Sequence, residues 1–208
     1  MKLYLSSYRL GDSPEKLAEL FSANKKIAVI ANAMDFVNES DRKDSVQQEI
    51  NDLSSLGLSP KDLDLRKYFG KEQELKEKII SYGGVWVRGG NTFVLRRAMY
   101  QSGFDKVLKE KVNDPDFVYS GYSAGICVLS NTLRGLDIVD NPKNTPQRYK
   151  PEIIWNGIGI IDFSIAPHYK SDHPESGLVN KTVEYFKENK ILFKTLRDGE
   201  ALIVNENV

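Results

Sequence analysis

A serine flanked by glycines is the residue of this chain best suited to act as a nucleophile. Residues 121–125 read Gly-Tyr-Ser-Ala-Gly, with Ser123 at the centre, between an apolar run at 117–120 and a predicted helix that reaches about residue 130. A tight strand-to-helix turn needs small neighbours, lifts the serine hydroxyl out of the sheet and aims the next amide N–H at a developing oxyanion. We therefore predict that Ser123 is a nucleophile, rather than a serine that only caps a helix.

A nucleophilic serine needs a general base, and the sequence contains two histidines, His168 and His173. His168 follows an apolar run at 160–166 that predicts a strand, so it should lie at a carboxyl end of the sheet, as Ser123 does. His173 lies in a polar segment, which favours a solvated loop residue. His168 is therefore the predicted base.

The third group of such a site is a carboxylate that holds the imidazole in one tautomer and stabilises its charged form. Asp137 and Asp140, which follow the helix after Ser123, are the leading candidates. Asp162 and Glu200 are weaker ones. The residues alone do not separate Asp137 from Asp140.

A second glycine turn, at residues 89–92, also lies between a predicted strand and a predicted helix. Two consecutive glycines before a helix leave backbone N–H groups open to negative charge, which also suits a phosphate or a plain tight turn. Beside the serine motif, we predict that the N–H groups of Gly90 and Ala124 form the oxyanion hole. Asn91 and Thr92 are expected to bind and orient the substrate.

The elements that must position these residues alternate between apolar runs and charged, amphipathic segments. Predicted strands lie at 2–5, 26–31, 62–65, 85–88, 117–120 and 160–166. A predicted helix starts at Pro14 after the N-cap Ser13, and others lie at 41–56, 72–82, 93–100 and 176–189. This order predicts an α/β fold in one domain over residues 1–208: a three-layer sandwich with a mostly parallel sheet and helices on both faces. Residues 193–208 predict a hairpin with Asp198-Gly199 at its turn.

Composition restricts the classes of function. Lys+Arg and Asp+Glu are equal at 29 each, so no net charge draws the chain to nucleic acid or to an anionic membrane. The single cysteine excludes an intrachain disulfide, and no apolar run approaches a membrane span, so we expect a cytoplasmic location. Two histidines and one cysteine make a metal site an unfavourable interpretation, and no cofactor is predicted. A monomer or a homodimer is expected.

These motifs together resemble the peptidase E and cyanophycinase family of serine peptidases. The resemblance lies in Gly-Gly-Asn-Thr-Phe at 89–93, Gly-Tyr-Ser-Ala-Gly at 121–125, Thr-Leu-Arg at 132–134 with an aspartate after it, and Pro-His-Tyr at 167–169. It implies a fold like that of class I glutamine amidotransferases, a Ser–His–acid triad, and cleavage of short peptides with an acidic first residue. By motif, Ser123 is the nucleophile, His168 the base and Asp137 the acid, with Asp140 as the alternative.

One feature departs from the family pattern. The resemblance implies an arginine, in the helix after the histidine, that helps to hold the aspartate side chain of the substrate. The segment 176–189 offers Lys181 and Lys187 instead, which leaves the preference for an acidic residue open. Cys127, one turn beyond the serine, is interpreted as a small buried residue rather than a nucleophile.

The predicted function is that of a serine peptidase that cleaves short peptides through an acyl-enzyme. Two alternatives stay open. A small-molecule acyl hydrolase or esterase would use the same triad with a different pocket. A non-catalytic binding module would keep the amidotransferase-like fold without turnover.

Overall fold

The strands form one large sheet and one small sheet in the computed structural model, which describes residues 1–205. The described strands are β1 (Lys2–Ser6), β2 (Lys26–Ile30), β3 (Ser59–Asp62), β4 (Gly84–Val87), β5 (Val118–Tyr122), β6 (Ser164–Ala166), β7 (Phe193–Thr195) and β8 (Ala201–Val204). The large sheet has the order β3-β2-β4-β5-β1-β8, and β6 and β7 form the small one. All neighbours in the large sheet are parallel except β8, which runs antiparallel to β1.

Helices cover both faces of the large sheet. They are α1 (Glu15–Leu20), α2 (Glu39–Ser55), α3 (Glu72–Ile79), α4 (Thr92–Ser102), α5 (Phe104–Glu110), α6 (Ala124–Cys127) and α7 (Ser176–Glu188). Short 3₁₀ turns lie at Asn32–Met34, Leu65–Tyr68 and Leu136–Ile138.

The strands of the large sheet supply a different core on each face. In β2, Ala28 and Ile30 belong to the core formed with α3, α4 and α5, whereas Ile27 and Val29 belong to the core formed with α1 and α2. Successive side chains of a strand point to opposite faces, so an uninterrupted apolar run such as this one is buried on both sides. The predicted α/β sandwich with a mostly parallel sheet is confirmed.

The prediction of a hairpin at the end of the chain is wrong. Strand β7 pairs in parallel with β6, and β8 pairs with β1 at the edge of the large sheet. The chain therefore crosses from one sheet to the other between them, and Asp198 lies in that crossing rather than at a hairpin turn. Residues 206–208, the last part of the predicted hairpin, lie outside the described residues.

Three other predicted elements differ from the structure. Strand β3 ends at Asp62, where the sequence predicts a strand to begin, and a 3₁₀ turn follows at Leu65–Tyr68. Helix α6 ends at Cys127, about three residues earlier than predicted. Only the last three residues of the predicted strand at 160–166 form β6, which belongs to the small sheet.

The long segment between residues 139 and 163 is attached to a buried ionic network. Tyr149 is buried, and its hydroxyl donates a hydrogen bond to the carboxylate of Asp35. The same carboxylate accepts hydrogen bonds from Arg42 Nε at 2.6 Å and from Asn32 Nδ2 at 2.7 Å. This network lies at the end of β2, so the segment is tied to the large sheet.

Removal of the Tyr149 hydroxyl should destabilise the fold. In Tyr149→Phe the Asp35 carboxylate loses one buried hydrogen bond, and bonds to charged groups contribute about 1.5–3 kcal/mol. Urea unfolding should show a loss of that size in the free energy of unfolding. Tyr82→Phe is the matched control, because the hydroxyl of buried Tyr82 has no hydrogen-bond partner among the described residues. An equal loss in both variants would contradict the assigned role of the Tyr149–Asp35 bond.

Candidate active site

The two glycine turns meet at the carboxyl ends of two neighbouring strands. Strands β4 and β5 are parallel and adjacent, so the turns that follow them lie at the same edge of the sheet. A Cβ atom added to Gly89 would lie 2.9 Å from the Cβ of Ser123. Cβ atoms on Gly121 and Gly125 would lie 2.3 and 2.1 Å from the carbonyl oxygen of Val87. Glycine is therefore needed here because two backbones are in direct contact.

The backbone of Ser123 adopts the strained conformation of a nucleophile elbow. Its φ is 49° and its ψ is −120°, in a region that residues with a side chain rarely occupy. Strand β5 ends just before it and α6 begins just after it. Ala124 is the first residue of that helix, so its N–H has no helical carbonyl oxygen to donate to.

The other glycine turn presents a second free amide. Gly90 has a φ of 142°, and a Cβ there would lie 2.6 Å from the carbonyl oxygen of Ala33. Among residues 1–205, no backbone acceptor takes the N–H of Gly90. The turn that carries Gly90 lies beside the turn that carries Ala124, because Gly89 lies against Ser123.

Ser123 and His168 line one cavity of about 130 Å³ at this edge of the sheet. Tyr8, Arg9, Arg88 and Glu175 are among the other residues of its wall. The two residues that the sequence predicts as nucleophile and base are therefore brought to one site, although they lie 45 positions apart in the chain.

His168 is buried and held from several directions. Its side chain is 2% exposed, and its Nδ1 lies 2.7 Å from Oδ1 of Asp198. Its backbone N–H donates to Ser7 Oγ at 2.8 Å, and the Ser7 hydroxyl donates to the same Asp198 oxygen at 2.9 Å. The backbone N–H of Asp198 donates to Ser171 Oγ at 2.8 Å. Three segments of the chain, at Ser7, at residues 168–171 and at Asp198, thus fix the histidine and its carboxylate.

The prediction that Asp137 pairs with His168 is wrong. Asp137 is exposed and accepts a hydrogen bond from the backbone N–H of Gly135 at 3.0 Å, which closes a local turn. The alternative, Asp140, accepts from the backbone N–H of Thr92 at 2.9 Å. Within residues 1–205 the carboxylate bonded to the His168 ring is that of Asp198. Sequence reasoning missed it because the same aspartate also suits a hairpin turn.

The weaker carboxylate candidates do not pair with His168 either. Glu200 accepts a hydrogen bond from the backbone N–H of Arg197 at 2.7 Å, within its own turn. Asp162 is exposed and lies in the wall of an apolar groove beside β8.

Burial keeps the imidazole of His168 neutral. Desolvation lowers the pKa of His168 below its ordinary value, and this effect outweighs the hydrogen bond to Asp198, which raises it. A neutral ring that donates Nδ1–H to a carboxylate has its other nitrogen, Nε2, free to accept a proton. The electrostatics therefore suit a general base at neutral pH.

Asn91 caps a helix and does not face the cavity as predicted. Its Oδ1 accepts hydrogen bonds from the backbone N–H groups of Phe93 and Val94, both at 3.0 Å, and its Nδ2 donates to the carbonyl of Asn141 at 3.0 Å. The side chain is buried with its polar atoms engaged, so the substrate-binding prediction fails for Asn91. The Asn-Thr-Phe sequence before a helix already carried the signal of an N-cap.

Thr92 lies closer to Ser123 than Asn91 does, in the wall of a shared cavity. Thr92 and Asp140 line a second, much smaller cavity that also touches Ser123 and His168. Burial raises the pKa of Asp140 to about 6, although the hydrogen bonds from Thr92 oppose the shift. The substrate role of Thr92 stays a prediction.

His173 is not the solvated loop residue that the sequence predicts. Its ring stacks on the ring of His168, with centroids 3.7 Å apart and planes 9° apart. Lys181 and Lys187 are both exposed on α7, and neither lines the two cavities. Cys127 is buried as predicted, and burial raises the pKa of its thiol.

The ligand atoms of His168, His173 and Asp198 lie within 4.8 Å of one another. This cluster does not fit a metal ion. The lone pairs of an imidazole lie in the plane of its ring, and those of two nearly parallel rings do not converge on one point. The oxygen of Asp198 is also bonded to His168 Nδ1.

Comparison with known proteins identifies the family. The sequence profile of peptidase family S51 matches residues 6–208. The chain belongs to peptidase family S51. This S51 member is 29% identical over 154 residues to an uncharacterized peptidase of Listeria monocytogenes, over 73% of this chain and 70% of that protein. It is 29% identical over 178 residues to peptidase E of Shewanella denitrificans, over 81% and 67% of the two chains.

Further relatives agree with the family. A Drosophila melanogaster protein named as a probable alpha-aspartyl dipeptidase is 31% identical over 111 residues, over 53% of this chain and 40% of that protein. A crystal structure of a candidate peptidase E from Listeria monocytogenes matches with a TM-score of 0.77 at 24% identity, over 98% and 93% of the chains. This likeness shows the fold, which is that of class I glutamine amidotransferases. None of the helices within residues 1–205 has the length and apolar character that a bilayer crossing requires.

The identity of the carboxylate can be tested in this S51 member. Asp198→Asn should slow the reaction of Ser123 with a fluorophosphonate by about 10²–10⁴-fold, because the amide no longer holds the required tautomer of His168 or stabilises its charge. Asp137→Asn should stay within about twofold of the wild type, since Asp137 only closes a turn. The second-order rate constant of labelling measures both. A slow Asp137→Asn beside a normal Asp198→Asn would refute the assignment.

Proposed function

We propose that this protein is a serine peptidase that cleaves short peptides through an acyl-enzyme on Ser123. One observation carries the proposal: a strained serine at a strand-to-helix turn shares a cavity with a buried histidine that is bonded to a carboxylate. Membership of peptidase family S51 supports peptide hydrolysis.

In the proposed reaction, Ser123 Oγ attacks the carbonyl carbon of the scissile bond while His168 Nε2 accepts the hydroxyl proton. His168 then returns this proton to the leaving amine, and the C–N bond breaks. Water, deprotonated by the same nitrogen, then attacks the carbonyl carbon of the acyl-enzyme. The bond from that carbon to Ser123 Oγ breaks, His168 returns the proton to Oγ, and the acid is released. Throughout, Asp198 accepts the Nδ1–H bond and stabilises the imidazolium that forms.

The negative charge that develops on the carbonyl oxygen would be taken by two backbone amides. The N–H of Gly90 has no backbone acceptor among the described residues, and the N–H of Ala124 begins a helix. Their turns are adjacent, since Gly89 is in contact with Ser123. Donors of this kind contribute about 3–4 kcal/mol each to transition-state stabilisation where one has been removed.

The substrate is proposed to be short because the cavity is small and is lined by charged side chains. At about 130 Å³ it holds little more than one residue beside the reacting bond. Arg9 and Arg88 line it, in place of the helix arginine that the resemblance implies. Arg88 is held by Glu49 at 3.2 Å and donates to the carbonyl of Gly89 at 2.9 Å, so it supports the glycine turn.

Arg9 is the better cation for an acidic first residue. It is 39% exposed, lies at the cavity, and its Nη2 contacts Asp52 at 2.6 Å. Its guanidinium also donates to the side-chain oxygen of Gln48, which is exposed. Water can replace these exposed partners when Arg9 donates to a substrate carboxylate. The name of the Drosophila relative, an aspartyl dipeptidase, agrees with such a preference.

The nucleophile is tested by Ser123→Ala with a panel of dipeptides, Asp-X, Glu-X, Lys-X and Leu-X. Loss of the hydroxyl should reduce hydrolysis by at least about 10⁴-fold, since the remaining groups give only binding and oxyanion stabilisation. Equal melting temperatures of the two proteins should show that the fold is intact. Mass spectrometry should find fluorophosphonate on Ser123 of the wild type.

Other outcomes would identify the alternatives. A labelled Ser123 with cleavage of short esters but of no dipeptide would make the protein an acyl hydrolase. No labelling of folded wild type and no turnover of any substrate would make it a binding module.

The role of Arg9 is tested by Arg9→Gln. We expect KM for Asp-X to rise about tenfold, since a hydrogen bond to a charged group contributes about 1.5–3 kcal/mol, and KM for Leu-X to stay unchanged. Arg134→Gln is the matched control, because Arg134 is exposed and lies over the Trp155 ring, away from the cavity. A parallel rise in KM for Asp-X and Leu-X would show that Arg9 does not select the acidic side chain.

A further inference from the structure

The ring of His173 covers one face of the His168 ring. The centroids are 3.7 Å apart, the planes differ by 9°, and His173 is half-buried. Two other contacts fix His173 in this place. Its Nδ1 accepts a hydrogen bond from the backbone N–H of Glu175 at 3.2 Å, and its ring meets the ring of Tyr8 edge-on at 5.4 Å. These contacts hold the His173 ring in its stacked position.

The hydrogen bond to Asp198 leaves one degree of freedom of His168 open. A single bond at Nδ1 fixes the position of that atom, but the ring can still tilt about the bond direction. The stacked face of His173 and the edge contact with Tyr8, at 5.8 Å, remove this freedom. The direction of Nε2, the nitrogen left for Ser123, depends on the same tilt.

We propose that His173 is a positioning residue for the general base, because its stacked ring fixes the plane of His168 and shields that ring from water. The inference rests on the proposed function, in which His168 moves the protons. His173 itself touches no reacting atom in this scheme. It acts through His168.

The stack also affects the protonation of His168. A proton added to His168 would place a positive charge against the ring of His173, which shields that charge from water. The further charged or titratable groups around the two rings are Tyr8, Arg9, Arg88, Asp140, Glu175 and Asp198. The pKa of His168 is lowered first by burial, and His173 lowers it further, whereas Asp198 and Glu175 raise it.

The sign of the expected pH effect follows from these causes. Without the ring of His173, water reaches His168 and the lowering effect of the second imidazole is gone, so the pKa of His168 should rise toward its ordinary value. A base acts only when it is unprotonated. The acid limb of the reaction rate should therefore move to higher pH.

Two variants separate stacking from the other properties of His173. His173→Ala removes the ring, and His173→Phe keeps a flat ring but cannot carry charge. With His173→Ala we expect the maximal rate of fluorophosphonate labelling of Ser123 to fall about tenfold or more, as for a displaced catalytic group. With His173→Phe the rate should return to within about threefold of the wild type.

The titration of His168 is measured directly by NMR of the imidazole Cε1–H signals. The wild type has two histidines, so each His173 variant has a single signal, which belongs to His168. This signal should titrate at higher pH in His173→Ala than in the wild type, and close to the wild type in His173→Phe. The same signal reports that each variant is folded.

The inference is overturned if His173→Ala leaves both the labelling rate and the His168 titration unchanged. It is equally overturned if His173→Phe is as impaired as His173→Ala in both measurements. Failure of the proposed function looks different: wild-type Ser123 would not be labelled at any pH. The His168 titration would still decide whether His173 positions that ring, since it should lie at higher pH in His173→Ala than in the wild type and in His173→Phe.

Discussion

Direct backbone contact between the ends of β4 and β5 is the constraint from which the site is built. The carbonyl of Val87 lies where side chains on Gly121 and Gly125 would have to be, and Gly89 lies against Ser123. Parallel pairing brings both strands to the same edge, and only glycine permits the remaining approach. The strained φ of Ser123 follows from the same closeness, because the chain must turn at once from strand to helix. The proposed nucleophile, Ser123, and the two free amides thus arise from one packing contact.

The histidine half of the site depends on a junction between the two sheets. Ser7 follows β1 of the large sheet, His168 follows β6 of the small sheet, and Asp198 lies where the chain passes between the sheets. Hydrogen bonds from the Ser7 hydroxyl and the His168 ring meet on one oxygen of Asp198. This convergence buries the imidazole, and burial is the main cause of its lowered pKa. Packing of the sheets therefore determines both the position and the protonation of His168, the proposed base.

The parts of the site that depend on local pattern could be predicted from the sequence, and the parts that depend on strand pairing could not. Ser123 and His168 each follow an apolar run, and such runs show which residues reach the carboxyl edge of the sheet. Asp198 follows the predicted strand that begins at Phe193, whose residues alternate between apolar and polar, but alternation does not reveal the partner of a strand. The pairing of β7 with β6 and of β8 with β1 is a tertiary choice. The prediction for Asn91 is wrong for a different reason: a side-chain amide can cap a helix or bind a substrate, and its residue type does not distinguish the two.

The cations around the cavity are already paired, so the carboxylate of an acidic substrate would have to replace an existing partner of an arginine. Each cation in the wall already has an anionic partner, Arg9 with Asp52 and Arg88 with Glu49. Glu49 is itself buried and also accepts hydrogen bonds from Trp86 and Tyr122, so Arg88 is not free to leave it. Asp52 is 30% exposed, and water can replace the bond that it gives up. Because breaking an exposed pair costs little, Arg9 can turn to a substrate carboxylate while the buried pair keeps the glycine turn in place.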